Sequence, residues 1–561
     1  MDRRAFLTSV KGRSAEPLQV KKSSGFRTSS GLSPYTGTWS QAEVVHLLKR
    51  TMFGARPVDI SYFLTKTMSQ AVDELLNPTA SFPAPPVKDY ATTDADTPDL
   101  DVAPGATWIQ SINYDGVIQS GRIASLKRWW NGVLLNQDRS IREKMTLFWH
   151  NHFATQMTEV VFGNLSYKHV HLLRTDALGN FKQMVKDVTL DPAMLIYLNG
   201  VQNRKAAPDE NYARELMELF TLGKENNPNY TEADVQAAAR VLTGWQIDAA
   251  NNTFPSVFNL TRHDTANKQF SSFFNNTVIV GRTGSTAGEL ELNDLLNMIF
   301  SKQLEVSRFM ARKLYRFFVY SEIDAAAETN VIEPLALQLR SSNWEIKPAL
   351  ALLFKSEHFY DVINRGAQIK TPLDHVIGYC REWNLVFPDV TTNYADAYGM
   401  WNLILAMGIL GQQNIGDPPS VAGWPAYYQI PQYYELWINT DTLPKRNQFT
   451  DGITAVGYAY NNKLLIMDPV GYTKTLKNPA DPNTLMNEVL DRIYSIALSQ
   501  QSKDQLKKDF LLSGQEQDYY WTSAWNTYMS DPSNTSNYNI VYVRLVGLYK
   551  YFMNLAEYQL M

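Results

Sequence analysis

The sequence holds one cysteine, Cys380, among 561 residues. That excludes an internal disulfide framework and any metal cage built from cysteine pairs. Cys380 ends the apolar run Val376-Ile377-Gly378-Tyr379-Cys380, which predicts a buried, inert thiol. A charge excess of one sign is also lacking, since 52 basic residues against 56 acidic ones leave a net charge of −4, and no long basic run occurs. Nucleic acid is therefore not an expected partner. No stretch approaches the about 18 consecutive apolar residues of a membrane span. The chain starts Asp2-Arg3-Arg4-Ala5-Phe6-Leu7, like a twin-arginine export signal, yet Thr8-Ser9-Val10 runs straight into Lys11, Gly12 and Arg13. The apolar stretch of about 7–15 residues that such a signal needs is missing. Also missing are the G-x-S-x-G elbow, the G-x-x-x-x-G-K-S/T phosphate loop, the H-E-x-x-H zinc helix and the dinucleotide fingerprint.

What is present is a chain 44% hydrophobic and 12% aromatic, with 30 tyrosines, long enough to bury one large core or two. Its pattern predicts a mainly α fold, a large multi-helix body with a small β excursion near residues 252–282. Residues 1–37 are rich in Ser, Gly, Lys and Arg and read as a disordered or extended segment. A helical body follows over 38–450, and a mostly helical extension packs on it over 451–561. Helices are predicted over 40–52, 57–65 and 68–76, then a long loop over 78–105, where six prolines break every period. Helices resume over 108–135, and Ser140 opens one that carries His150 and His152. Amphipathic runs over 306–320 and 346–355, and a start at Thr371-Pro372, extend the helical pattern. Phe254-Pro255-Ser256-Val257-Phe258 and Thr277-Val278-Ile279-Val280-Gly281 read as short strands, and Asp417-Pro418-Pro419 to Tyr428 must be a loop.

Three groups of residues carry candidate chemistry. His150 and His152 are nitrogen donors for a divalent metal, although residues two apart on a helix point about 200° away from each other. Either the helix ends near His150, or one histidine faces a site and the other packs; the plain alternative for each is a core or helix-end histidine bonded to backbone. Glu210, Arg214, Glu215 and Glu218 lie along a helix at spacings that put carboxylates beside a guanidinium, so Glu210 is a candidate metal ligand and Glu215 a candidate base held ionised by Arg214. The alternative is a polar network tying the helix to Arg174, Arg240 or the Trp424 loop. His263 and Asp264 stand on a loop beside a strand, where side chains are aimed without serving a helix face, and Lys268 follows as an anion-holding residue. The Asp264 carboxylate would equally serve an Asx turn. Thr231 with Asp234 reads as a capping box opening a helix that stops at Gly244.

The ordered landmarks His46-Leu47-Leu48-Lys49-Arg50, Glu143-Lys144-Met145 through His152-Phe153, Asp191-Pro192-Ala193, Asp209 to Leu216, Leu242-Thr243-Gly244-Trp245, His263-Asp264, Lys370-Thr371-Pro372 and Pro418 to Trp424 resemble the bacterial domain of unknown function 1800 family. The resemblance covers about residues 39–446 and leaves the tail outside. It departs from the family at Asp209, where relatives have asparagine, at Ala266, near a usual glycine, and at Ala426-Tyr427-Tyr428, where glycines are common. Two functions follow as expectations. One is a metal- or cofactor-dependent enzyme, an oxidoreductase or hydrolase acting on a small molecule or glycan. The other is a non-catalytic envelope or assembly protein working with an exported partner, whose gene often neighbours those of relatives. The resemblance implies the cell envelope, whereas the missing apolar signal region points to the cytoplasm.

Overall fold

The computed structural model describes residues 30–91, 98–223, 229–251, 253–424 and 437–561. The Arg3-Arg4 pair and most of the segment expected over 1–37 lie outside the described residues, as do residues 92–97 of the long loop, Asn252 and the Ala426-Tyr427-Tyr428 run. The architecture is mainly α with three small antiparallel two-stranded sheets among the described residues.

Local chemistry sets the helix starts. The expected opening helices form over Gln41–Thr51, Pro57–Phe63 and Met68–Leu76, the second with proline in its first turn and the third with a Thr67/Gln70 capping box. Thr231 and Asp234 form the same device for Glu232–Val241, and Gly244 lies just beyond at φ +99°, a backbone that glycine adopts without strain. Thr371 accepts from the Asp374 N–H at 3.2 Å and Pro372 opens the helix Pro372–Glu382.

Two large apolar clusters form the interior. One is built from residues 44–76, 141–153 and 173–360. The other joins the helix Gly116–Leu135, the helices Pro372–Glu382 and Tyr394–Leu410, and the C-terminal helices through Tyr558. Between them runs Arg142–His152, every residue of which is buried, with Met145, Phe148 and Trp149 in the first cluster and Leu147 in the second. A helix apolar on two faces is what two cores require of their shared wall.

The β excursion is real but paired differently from a simple hairpin. Ser256–Phe258 pairs with Trp245–Ile247, directly after the Gly244 turn, and Val278–Ile279 pairs with Lys268–Gln269. The two strand-like segments thus each find a closer partner rather than each other. A third hairpin, Tyr458–Tyr460 with Lys463–Leu465, turns through Asn461 at φ +49°. Asparagine tolerates that left-handed conformation.

Candidate functional site

The helix Arg142–His152 sends its two histidines to different surroundings. His152 donates through Nε2 to the Phe220 carbonyl, 3.1 Å away, and its ring lies among Phe148, Phe153, Phe181, Phe220 and Phe309. Phe220 sits in the π-helical turn Leu216–Thr221, so the histidine satisfies a carbonyl at a helix end. His150 is fully buried beside Trp130 at 5.1 Å, Trp424 at 5.7 Å and His169 at 6.3 Å between ring centres, and neither of its nitrogens meets a hydrogen-bond partner among the described residues. Burial, reinforced by His169 and Lys127, holds the His150 imidazole well below its usual pKa. His169 itself is fixed by Asp191 at 3.0 Å and the Phe153 carbonyl at 3.2 Å.

On the short helix Asn211–Glu215, Arg214 bridges Glu210 at 3.0 Å and Glu232 at 2.9 Å. Arg214 and Glu210 are each about one-third exposed, so this is a surface clamp between successive helices. Glu215 lies where its charge, with those of Glu159 and Asp417, adds to burial in raising the Tyr197 hydroxyl to about 12. Arg174 and Arg240, expected as partners of this stripe, instead bind Glu143 at 2.8 and 2.9 Å and Asp264 at 2.6 Å.

His263, Lys268 and a residue missed in the sequence, Glu291, form one closed cluster. Glu291 takes His263 Nε2 at 3.1 Å, Lys268 Nζ at 2.5 Å and the Arg282 N–H at 2.7 Å, with all three side chains at 0% exposure. Burial pushes the Glu291 carboxyl up, but the hydrogen bonds from His263, Lys268 and the Arg282 N–H hold it below its ordinary value. His263 Nδ1 meets the Thr243 carbonyl at 2.9 Å, and Lys268 also reaches the Asp264 carbonyl. The Asp264 carboxylate turns outward to Arg240 and accepts from the Ala266 N–H at 2.9 Å, which is the Asx turn. The register of Ala287–Phe300 could have revealed Glu291, because Ala287, Glu291 and Leu295 repeat at the spacing of its buried face.

A second buried charge cluster unites landmarks far apart in sequence. Glu382, 1% exposed, stands 3.5 Å from Lys49 and 3.6 Å from Lys370. Lys370 lies over the Tyr558 ring at 3.8 Å, and neither its amine nor either Glu382 oxygen completes a hydrogen bond among the described residues. Burial pulls the Lys370 amine down to about 7 against the opposing pull of Glu382. Next to it Lys144 pairs with Asp374, and Arg446 donates to the Lys370 carbonyl at 2.8 Å.

An aromatic concavity lies elsewhere. A cleft of about 580 Å³ is walled by Phe82, Trp129, Tyr394, Tyr398 and Trp401, with Gln137 among its lining residues. Its walls are fixed from behind: the Trp129 indole donates to the Ala84 carbonyl at 2.7 Å, and the Tyr398 hydroxyl accepts from the Val87 N–H at 3.0 Å. Trp401 lies against Gly132, where a Cβ would meet its ring at 2.5 Å, so only glycine lets the two helices close there. The charged groups of the lining are paired, Arg142 with the Ala80 carbonyl and Asp138, and Glu143 with Arg174. Of the buried polar atoms of the lining, Arg142 Nε and the Trp401 indole nitrogen lack partners among the described residues, and so does the whole amide of Gln137, which is 5% exposed.

His150, His152 and His263 therefore stand in three separate sets of neighbours. Among the described residues no group of three or more His, Cys, Asp or Glu side chains is placed to hold a metal ion. No helix among them is long and apolar enough to cross a membrane. Cys380 is buried, and burial raises its thiol far above the usual range.

These features define a mainly α protein of two joined cores with an aromatic cleft on one side and buried charge clusters within. The chain belongs to the family described as "Protein of unknown function (DUF1800)", whose model matches residues 46–560. The match carries the family well past residue 446, where the sequence landmarks stop. The tail helices share an apolar cluster with Gly116–Leu135, and Tyr558 covers Lys370. No curated protein and no solved structure matches the chain.

Proposed function

We propose that this protein binds an uncharged, ring-shaped, polyhydroxylated ligand, a saccharide, in the cleft between Trp129, Trp401 and Gln137. The observation that carries the reading is the Gln137 amide. A buried amide without partners costs on the order of 1–3 kcal/mol, and a ligand that offers both a donor and an acceptor removes that cost. A pair of neighbouring sugar hydroxyls does so, while the C–H face of the ring packs on aromatic walls.

The paired state of Arg142, Asp138 and Glu143 leaves no uncommitted charge in the lining for a phosphate or carboxylate ligand. The hydrogen bonds behind Trp129 and Tyr398 hold the walls before any ligand arrives, which lowers the ordering cost of binding. Dispersal of His150, His152 and His263 among separate networks favours this binding role over a metal-centred enzyme gathering all three. The clusters around Glu291 and Arg214 then serve as structural ties.

Titration calorimetry with gluco-, galacto- and N-acetylglucosamine-based disaccharides tests the reading. Wild type should bind at least one class, and Gln137→Leu should weaken it about tenfold or more while unfolding at a higher temperature. Undiminished binding by Gln137→Leu, or no saccharide binding by the wild type, overturns it.

A further inference from the structure

The aromatic cleft does not end at Phe82. A second concavity of about 580 Å³, lined by Tyr167, Lys168, His171, Asp176 and Asp187, lies on the other side of a wall of four rings. Trp129 of the first cleft meets Tyr167 edge-on at 5.7 Å, Tyr167 stacks on His171 at 5.8 Å and 22°, and His171 meets Phe82 of the first cleft at 5.4 Å. The rings form a ridge with a cleft on either flank. Its foundation is the buried Glu143–Arg174 pair, whose guanidinium lies 5.2 Å from the Trp129 ring centre. Phe82, at 42% exposure, is the crest.

We infer that the two clefts are subsites of one groove, and that the ligand is a linear oligosaccharide crossing the Phe82–His171 ridge rather than a single sugar unit. The inference rests on the saccharide reading of the first cleft and extends it to a chain. Two flanking concavities of equal volume suit successive units of a repeating polymer, and a ridge of aromatic edges gives the chain an apolar saddle between them. The polar groups on the far flank fit hydroxyls. Lys168 is committed to the backbone carbonyls of Thr253 and Phe254, so it brings no free cation. Asp176 and Asp187 offer carboxyl oxygens; burial and the Asp187 charge raise the Asp176 carboxyl to about 6, which keeps a share of it as a neutral donor in mildly acidic solution.

The test is a chain-length series. Cello-, chito- and malto-oligosaccharides of one to six units are titrated against the intact protein, His171→Ala, Tyr167→Ala and Gln137→Leu, each checked for an unchanged circular dichroism spectrum. In the class that binds, affinity should rise about tenfold or more from short to long chains. His171→Ala and Tyr167→Ala, which line only the second cleft, should remove that gain and leave short-chain binding intact, while Gln137→Leu weakens every length. His171 is partly exposed, so its variant remains informative if Tyr167→Ala unfolds. Binding that is independent of length overturns this inference and leaves the single-cleft reading standing. Absence of binding at every length overturns both.

Discussion

Glu291 and Glu382 are both buried carboxylates facing two basic side chains, yet only one of them is closed. Glu291 has bonds of 3.1 Å from His263, 2.5 Å from Lys268 and 2.7 Å from a backbone N–H. Glu382 has Lys49 at 3.5 Å and Lys370 at 3.6 Å, with no hydrogen bond completed among the described residues. The difference shows that proximity of opposite charges is not what makes a buried ion pair stable. Desolvation costs several kcal/mol per ion, and short, directed hydrogen bonds are what offset it. The Glu291 cluster acts as a rivet between the β excursion and Ala287–Phe300, whereas the Glu382 cluster retains an amine able to change its charge near neutral pH.

The largest effect should come from breaking the rivet. Lys268→Met leaves Glu291 buried with a weaker set of donors, and denaturant unfolding should show a loss of about 3–5 kcal/mol. A loss of under about 1 kcal/mol would place the two clusters in the same class.

The next effect belongs to Lys370 and pH. An unfolded lysine holds its proton to about 10.4, whereas the folded amine releases it near 7. Between those values the unfolded chain binds more protons, so stability rises with pH, by up to about 1.4 kcal/mol per unit. Below pH about 7 both states hold the proton and the cost of the buried cation is present in full. Urea unfolding from pH 6 to 9.5 should show this slope in the wild type and its absence in Lys370→Met. A variant that keeps the slope would show that another group carries it.

At pH 6 the same Lys370→Met variant should be more stable than wild type by about 1 kcal/mol, because an apolar side chain replaces a poorly bonded cation. Destabilisation there would mean that the Lys370 charge is better paired than its distances indicate. Smallest of all is Arg214→Ala, since the Arg214–Glu210–Glu232 clamp is exposed and screened by salt. Its thermal midpoint should move less than that of any variant above, and less still at high salt.

How much of this was legible in the sequence follows from the range of each interaction. Helix starts were readable at Thr67, Thr231 and Thr371, because a cap and its N–H partner are three residues apart. The β excursion was readable from its composition, but not its pairing, since the choice of Trp245–Ile247 over 277–281 is made by chain geometry. The third hairpin carries a local signal, Asn461-Asn462 between two short strands, since asparagine tolerates the left-handed turn backbone. His263 and Lys268 are near enough in sequence to be considered together, while Glu291, which bonds both, lies hidden in an ordinary amphipathic helix. Gln137 carries no sequence signal, since its isolation arises from loop 80–87 and Trp401 closing around it.

Lys49 in the opening helix, which rests against Glu382, also donates to the carbonyl of Ile493, 444 positions further along. At about 5–20 residues per second, a ribosome needs about 20–90 seconds to make the intervening chain. Throughout that interval the opening helix carries a lysine whose folded-state acceptor does not yet exist. Its final docking is therefore a late step of folding, and the apolar face of Gln41–Thr51 is a surface for a chaperone to cover in the meantime.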